Sequence, residues 1–351
     1  MKIVALMNRA FAGELPLLPS GEDYWIAMEE TGRQAIAGQV HHELQARGCL
    51  EHLPDDFLSF LQARRREQSL YNLILKAEAD RVLFVLERRG IRTIVLKGTW
   101  LSRRLYGSDG VRGTSDIDLL VAREDLPAAC ERICAELGYA GMPYDPNSPY
   151  HAELVRTLPG RNLEFRVELH WNLVKPDFFR LDCRPMWERA QRLPDYGSVF
   201  ELSEPDLFYT LCLHGAKHGM SSLRNVLDLE AMLRVFADRI DYNELFRRAR
   251  REETYGMVVM ALSVAYRLFP HLHAVKPFEA CRTWFPWNQR LAWKREAGYR
   301  RYQGGMTYYV QRTVFELAKF DRNRYRYRYL YGLLFPKRAA AKSKRRIFQK
   351  G

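Results

Sequence analysis

Two aspartates flank a single apolar residue in Asp116-Ile117-Asp118, and the run continues Leu119-Leu120-Val121. On a β-strand, residues two apart share a face, so the two carboxylates point together while Ile117 and Leu119 turn the other way. Carboxylates held that close repel, and a divalent cation between them relieves the repulsion. A solvated strand edge would show the same pattern. Upstream, Ile94-Val95-Leu96 leads into Lys97-Gly98-Thr99, where the bare N–H groups of a helix start and a residue without a side chain let a phosphate approach. A plain capping turn needs nothing more than those same residues. Downstream, Val167-Glu168-Leu169-His170-Trp171 alternates so that Glu168 and His170 share a face. If this strand neighbours the first, Glu168 becomes a third carboxylate beside Asp116 and Asp118.

These residues need a scaffold, and the periodicity of the chain supplies one. Residues 22–89 carry apolar side chains at helical spacing, interrupted at Leu53-Pro54-Asp55-Asp56, where Pro54 disfavours helix before it and the acids suit a helix start. The period then shortens. Thr93-Ile94-Val95-Leu96 reads as a buried strand, residues 100–106 as helix, residues 116–121 as strand and residues 124–137 as a helix stopped by Gly138. Residues 150–158 and 163–171 read as a hairpin about the turn Pro159-Gly160-Arg161-Asn162. After Pro176 the pattern is helical, with helices expected from Pro205 to about Gly219 and over residues 223–236, 242–251 and 255–268. The predicted division is a helical region at 1–89, an α/β core at 90–176, a helical domain at 177–270 and an aromatic and basic region at 271–351.

Taken together, the glycine turn, the Asp pair and the later acid resemble the polymerase-beta-like nucleotidyltransferase fold. Within it the chain is similar to the bacterial uncharacterised nucleotidyltransferases with a Leu-Lys-Gly turn. Leu96-Lys97-Gly98, Leu105-Tyr106, Arg112, Ser115 through Val121, Val167 through Trp171, and His214-Gly215-Ala216-Lys217-His218 with Leu223 and Asp228 carry the resemblance, which spans most of residues 20–270. Thr99 stands where Ser or Gly is usual, Glu168 stands where Asp is common, and the stretch from Gly98 to Asp116 is longer than in minimal members.

The resemblance implies an α+β fold, a small mixed sheet with helices flanked by N- and C-terminal helical regions. It implies that Asp116 and Asp118 hold two Mg²⁺ ions, with Mn²⁺ as a substitute, and that Glu168 completes the acceptor side. Gly98 and Thr99 would then contact the β- and γ-phosphates of a nucleoside triphosphate, and Lys217 and His218 would line the nucleotide cleft. Attack on the α-phosphate would release pyrophosphate. The expected reaction is transfer of a nucleoside monophosphate, AMP from ATP, to a small-molecule or peptide acceptor. A non-catalytic nucleotide-binding protein and an RNA-directed transferase are the alternatives.

Other residues carry two readings each. Lys97 and Arg112 suit phosphate neutralisation or simple surface exposure. His170 suits orienting an acceptor or acting as a base, or a structural hydrogen bond. His214 and His218 lie one helical turn apart, but zinc needs at least three protein ligands and the sequence offers no third. Asp228 could pair with Lys217 or His218, or cap a helix.

Composition bounds the partners. The chain has 351 residues, 55 Lys plus Arg against 42 Asp plus Glu, and a net charge of +13. Residues 321–351 hold eleven of the basic side chains against Asp321 alone, which leaves residues 1–320 nearly neutral. A nucleic-acid-coating protein spreads its basic residues over a face of the fold, so the body does not read as one. The basic tail suits an anionic partner, a membrane surface, nucleic acid or plain solvation. Six scattered cysteines without a CxxC pair, no secretory apolar segment after Met1 and no run long enough for a membrane span lead to an expected cytoplasmic location.

Overall fold

The computed structural model describes residues 1–141, 150–158, 160, 163–280 and 306–335. At its centre is a six-stranded mixed sheet in the order β3-β4-β2-β1-β6-β5. The strands are β1 (Thr93–Val95), β2 (Ile117–Val121), β3 (His151–Leu158), β4 (Leu163–His170), β5 (Gln191–Arg192) and β6 (Val199–Glu201). All five residues of β2 are buried. Such a strand needs cover on both faces, and its near-continuous apolar sequence reflects that.

Alternation along β2 divides the molecule. Ile117, Leu119 and Val121 join Val95, Val167 and Leu169 in one apolar cluster, with Leu75, Ala79, Val82, Leu83 and Leu86 of the Asp55–Glu87 helix and Ala129, Cys130 and Ile133 of the Leu126–Leu137 helix. Leu120 and Ile94 turn to the other face and join a second cluster, built largely from the helices Glu204–Lys217, Leu223–Phe236 and Tyr255–Leu268. Asp118 lies between Leu119 and Ile117 and so shares the face of Leu120, toward these helices.

The order strand, helix, strand, helix, strand, strand holds from β1 through β4, with the helices Thr99–Tyr106 and Leu126–Leu137 between. β2 runs antiparallel to β1 and parallel to β4. The β3–β4 hairpin pairs eight residues a side. Of its expected turn, Gly160 has a positive φ of 74°, while Pro159, Arg161 and Asn162 lie outside the described residues.

One reading needs correction. The stretch after Pro176 was expected to be helical throughout, yet it contributes β5 and β6, and β6 pairs in parallel with β1. Strands of two and three residues are too short to display a period of two. The helices over 223–236, 242–251 and 255–268 have the predicted bounds. Within the aromatic and basic region, Met306–Ala318 and Asn323–Leu334 are helices. Residues 336–351, which hold the lysine and arginine cluster of the tail, lie outside the described residues, as does Cys281; the other five cysteines form no disulfide among the described residues.

Candidate functional site

The parallel pairing of β2 and β4 sets Asp118 opposite Glu168 and Leu120 opposite His170. Paired residues in neighbouring strands project to the same face, so the two carboxylates and the imidazole gather on the side away from the Asp55–Glu87 helix. His170 Nε2 lies 3.2 Å from Asp118 Oδ1 and 3.1 Å from Glu168 Oε2. Facing two carboxylates, that nitrogen acts as the donor, and the other, Nδ1, is buried without a partner among the described residues. His170 therefore holds the two acids in place. Asp116 precedes β2 and is half-buried beside Asp118.

Lys97 follows β1 and reaches the same carboxylate from the other side. Its Nζ is 3.0 Å from Asp118 Oδ2 and donates to His214 Nδ1 at 3.2 Å. The side chains of Lys97 and Asp118 are 9% and 2% exposed, so each charge depends on the other. Burial alone would raise the pKa of Asp118, but Lys97 and His170 hold it far below the usual carboxylate range. Glu168, opposed by burial, is brought down to about 2 chiefly by its hydrogen bond with His170. Asp116 moves the other way, raised first by the charge of Asp118 and then by burial. Burial and the nearby Lys97 push His214 well below the ordinary histidine value, so it is neutral and accepts the lysine's proton donor.

These groups open into a cleft of about 570 Å³, a size common for small-molecule sites. Lys97, Asp116, Asp118 and Glu168 form one wall, Gly113-Thr114-Ser115 one end, and Lys217, His218, Arg224 and Asn225 the helical wall. Burial, then Lys97, lowers the pKa of Lys217, whose ammonium stands 5.2 Å from the centroid of Tyr150. Contrary to the expectation that they contact the phosphates, Gly98 and Thr99 are not among the residues that line the cleft. Gly98 adopts φ 78° and ψ −144° at the start of the Thr99–Tyr106 helix, and Thr99 is buried with a hydroxyl that finds no partner among the described residues.

Arg112 borders the cleft but is engaged elsewhere. Its guanidinium donates to both oxygens of Asp228, Nε to Oδ1 at 2.8 Å and Nη2 to Oδ2 at 2.8 Å, and both side chains are buried. Asp228 thus pairs with Arg112, where the sequence suggested Lys217, His218 or a helix cap, and the fork ties the segment before β2 to the Leu223–Phe236 helix. His214 and His218 lie with ring centroids 4.6 Å apart.

The residues missed from the sequence fall into two sets. His151 opens β3 opposite His170, the rings 5.3 Å apart and stacked, and burial followed by His170 lowers its pKa to about 4. A hairpin turned over residues 159–162 pairs positions whose numbers sum to 321, so His151 and Glu153 could have been placed beside His170 and Glu168. The second set had no such signal. Phe178 and Phe179, with Arg312 and Tyr329 of the C-terminal helices and Lys319 and Phe320 of the turn between them, form the outer wall. Phe178 stacks on Phe320 at 5.1 Å. Asp321 accepts from the N–H groups of Tyr255 and Gly256, both at 2.7 Å, and Tyr325 donates to Glu253 at 2.5 Å, which docks the helix pair on the body.

Among the described residues, the groups of three or more side chains close enough to share an ion are Asp118-Glu168-His170 and His151-Glu153-Glu168, with ligand atoms within 4.8 Å of one another. The first set, with Asp116 beside it, is rich in carboxylate oxygen and buried at Asp118, which suits a hard divalent cation such as Mg²⁺ or Mn²⁺. The residues fit such an ion.

Comparison with known proteins agrees with this geometry. A family model described as uncharacterised nucleotidyltransferase matches residues 28–270, a span that contains both carboxylate strands and the helical wall. No curated protein and no solved structure matches the chain.

Proposed function

The chain belongs to the uncharacterised nucleotidyltransferase family, and on that premise we propose that it transfers a nucleoside monophosphate, AMP from ATP, to a hydroxyl or phosphate of a small-molecule or peptide acceptor. The observation that carries this reading is the register of Asp118 against Glu168, which gathers the acids at one wall of a nucleotide-sized cleft.

Asp116, Asp118 and Glu168 would hold the divalent ions, two Mg²⁺ or Mn²⁺. Bound there, the ions supply neutralisation of charge at the α-phosphate and acidify the acceptor hydroxyl. The chain's own groups do the rest. Lys97 and Lys217, with His218 beside them, would face the β- and γ-phosphates. His170 keeps Asp118 and Glu168 at a fixed separation and acts by orientation. Arg112 contributes by bracing the segment before β2 through Asp228. The outer wall at Phe178, Phe320 and Tyr329 excludes water and seats the acceptor.

In the reaction a bond forms between the acceptor oxygen and the α-phosphorus as the bond from that phosphorus to the bridging oxygen breaks. Pyrophosphate leaves, and the acceptor proton passes to solvent. The test is binding of labelled ATP, GTP, CTP and UTP to wild type and to Asp116→Asn/Asp118→Asn. Mg²⁺-dependent binding that the double variant loses supports the proposal; equal binding by both proteins would overturn it.

A further inference from the structure

Lys97 and His214 are 117 residues apart in sequence and meet beside Asp118. The lysine Nζ sits 3.0 Å from Asp118 Oδ2 and 3.2 Å from His214 Nδ1, while the aspartate's other oxygen is taken by His170 at 3.2 Å. Oδ1 of Asp118 is thus held by His170, while Oδ2 faces the Lys97 ammonium as an ion pair without a hydrogen bond of its own among the described residues. The lysine is nearly as buried as the acid, and a shielded ammonium leaves its counter-ion readily only for another anion. A triphosphate in the same cleft is such an anion. His214, on the helical wall, is the group that fixes the lysine in its present place.

We propose that Lys97, held by His214, is an internal counter-ion of Asp118 that a divalent cation must displace, and that this exchange makes cation loading conditional on the triphosphate. The proposal rests on the reading of the cleft as a nucleotidyltransferase site. It gives Lys97 two successive partners, Asp118 in the empty cleft and the nucleotide phosphates in the loaded one. Cation and nucleotide then favour each other's binding through a group that can satisfy only one anion at a time. It also gives His214 a positioning role that its pairing with His218 does not explain.

The experiment measures binding of Mn²⁺ alone to the full chain, by electron paramagnetic resonance of the free ion, and then of the Mn²⁺ complex of α,β-methylene-ATP. Lys97→Met is expected to bind Mn²⁺ alone about tenfold more tightly than wild type, and to lose most of the preference for the nucleotide complex. His214→Phe, which changes no charge, is expected to tighten Mn²⁺ by about threefold or more. Lys217→Met removes an equal charge from the same cleft and should have a clearly smaller effect than Lys97→Met. His214→Leu, which likewise offers no acceptor, serves if the phenylalanine variant does not fold. Asp118→Asn is expected to weaken Mn²⁺ binding.

If Asp118→Asn loses Mn²⁺ while Lys97→Met and His214→Phe bind it as wild type does, the exchange is overturned and the site reading stands. If Lys97→Met and Lys217→Met tighten binding alike and the His214 variants do nothing, general electrostatics explains the data and the exchange is again overturned. If Asp118→Asn binds Mn²⁺ as wild type does, both readings fall.

Discussion

Asp118 and Glu168 are Cα partners across the parallel strands β2 and β4, and one imidazole nitrogen of His170 serves both carboxylates. That register is what makes a site of two distant stretches of chain. A slip of one residue would bring Val167 or Leu169 opposite Asp118 and turn the acid away from the cleft. Burial of Ile117, Leu119, Val167 and Leu169 against the Asp55–Glu87 and Leu126–Leu137 helices opposes any such slip. The apolar half of each strand thus specifies where the polar half stands.

Acid should weaken the fold through Glu168. Burial would raise its pKa, but His170 holds it at about 2, below the unfolded value of 4.5. A carboxylate with a depressed folded pKa contributes stability that is complete above the unfolded pKa and lost as pH falls toward the folded one. Denaturant unfolding without divalent ions, between about pH 5 and 2, should show wild type losing stability more steeply than Glu168→Gln. Parallel curves would contradict this.

The Arg112–Asp228 fork should behave as a buried pair. Removing one partner leaves an uncompensated charge, so Arg112→Met or Asp228→Asn should each cost about 3–5 kcal/mol in denaturant unfolding. Arg112→Met/Asp228→Leu should recover much of that loss, because the second charge is gone too. Arg112→Lys should not substitute, since a lysine cannot make the bidentate contact.

Gly98 should resist substitution for conformational reasons. Its φ of 78° and ψ of −144° lie where L-residues are strained, yet a Cβ there would meet nothing closer than Thr114 Oγ1 at 3.9 Å. Gly98→Ala should therefore cost about 1–3 kcal/mol through backbone strain without a packing clash. Thermal unfolding of the variant measures it, and an unchanged midpoint would contradict it.

Asp321 should matter to stability and to the outer wall together. Its carboxylate accepts from the first two N–H groups of the Tyr255–Leu268 helix. Asp321→Ala should cost about 1–2 kcal/mol, as other lost N-terminal caps do. Hydrogen exchange over residues 306–335 should rise in the variant, since the same side chain docks the helix pair; unchanged protection there would contradict the docking role.

What was legible in the sequence follows from period and proximity. The buried strand β2 and the helices over 223–236, 242–251 and 255–268 follow from side chains a few residues apart, and periodicity expresses them directly. The short strands Gln191–Arg192 and Val199–Glu201 have no period to read; the longer one is defined by its parallel pairing with the edge of β1 that β2 leaves open. Lys97 against His214, Arg112 against Asp228 and Phe178 against Phe320 are long-range contacts. They depend on how helices pack around the sheet, which spacing along the chain does not encode. His151 sits between these cases, because hairpin register would have placed it once the turn was assigned.

The most direct test of the reaction is the position of the transferred label. Purified full-length protein is supplied with Mg²⁺, candidate acceptors and ATP labelled at either the α- or the γ-phosphate. The acceptor should take the α label, the γ label should leave as pyrophosphate, and Asp118→Asn and Glu168→Gln should each lower the rate by about a hundredfold or more. Transfer of the γ label to the acceptor, or equal rates in wild type and variants, would contradict the account.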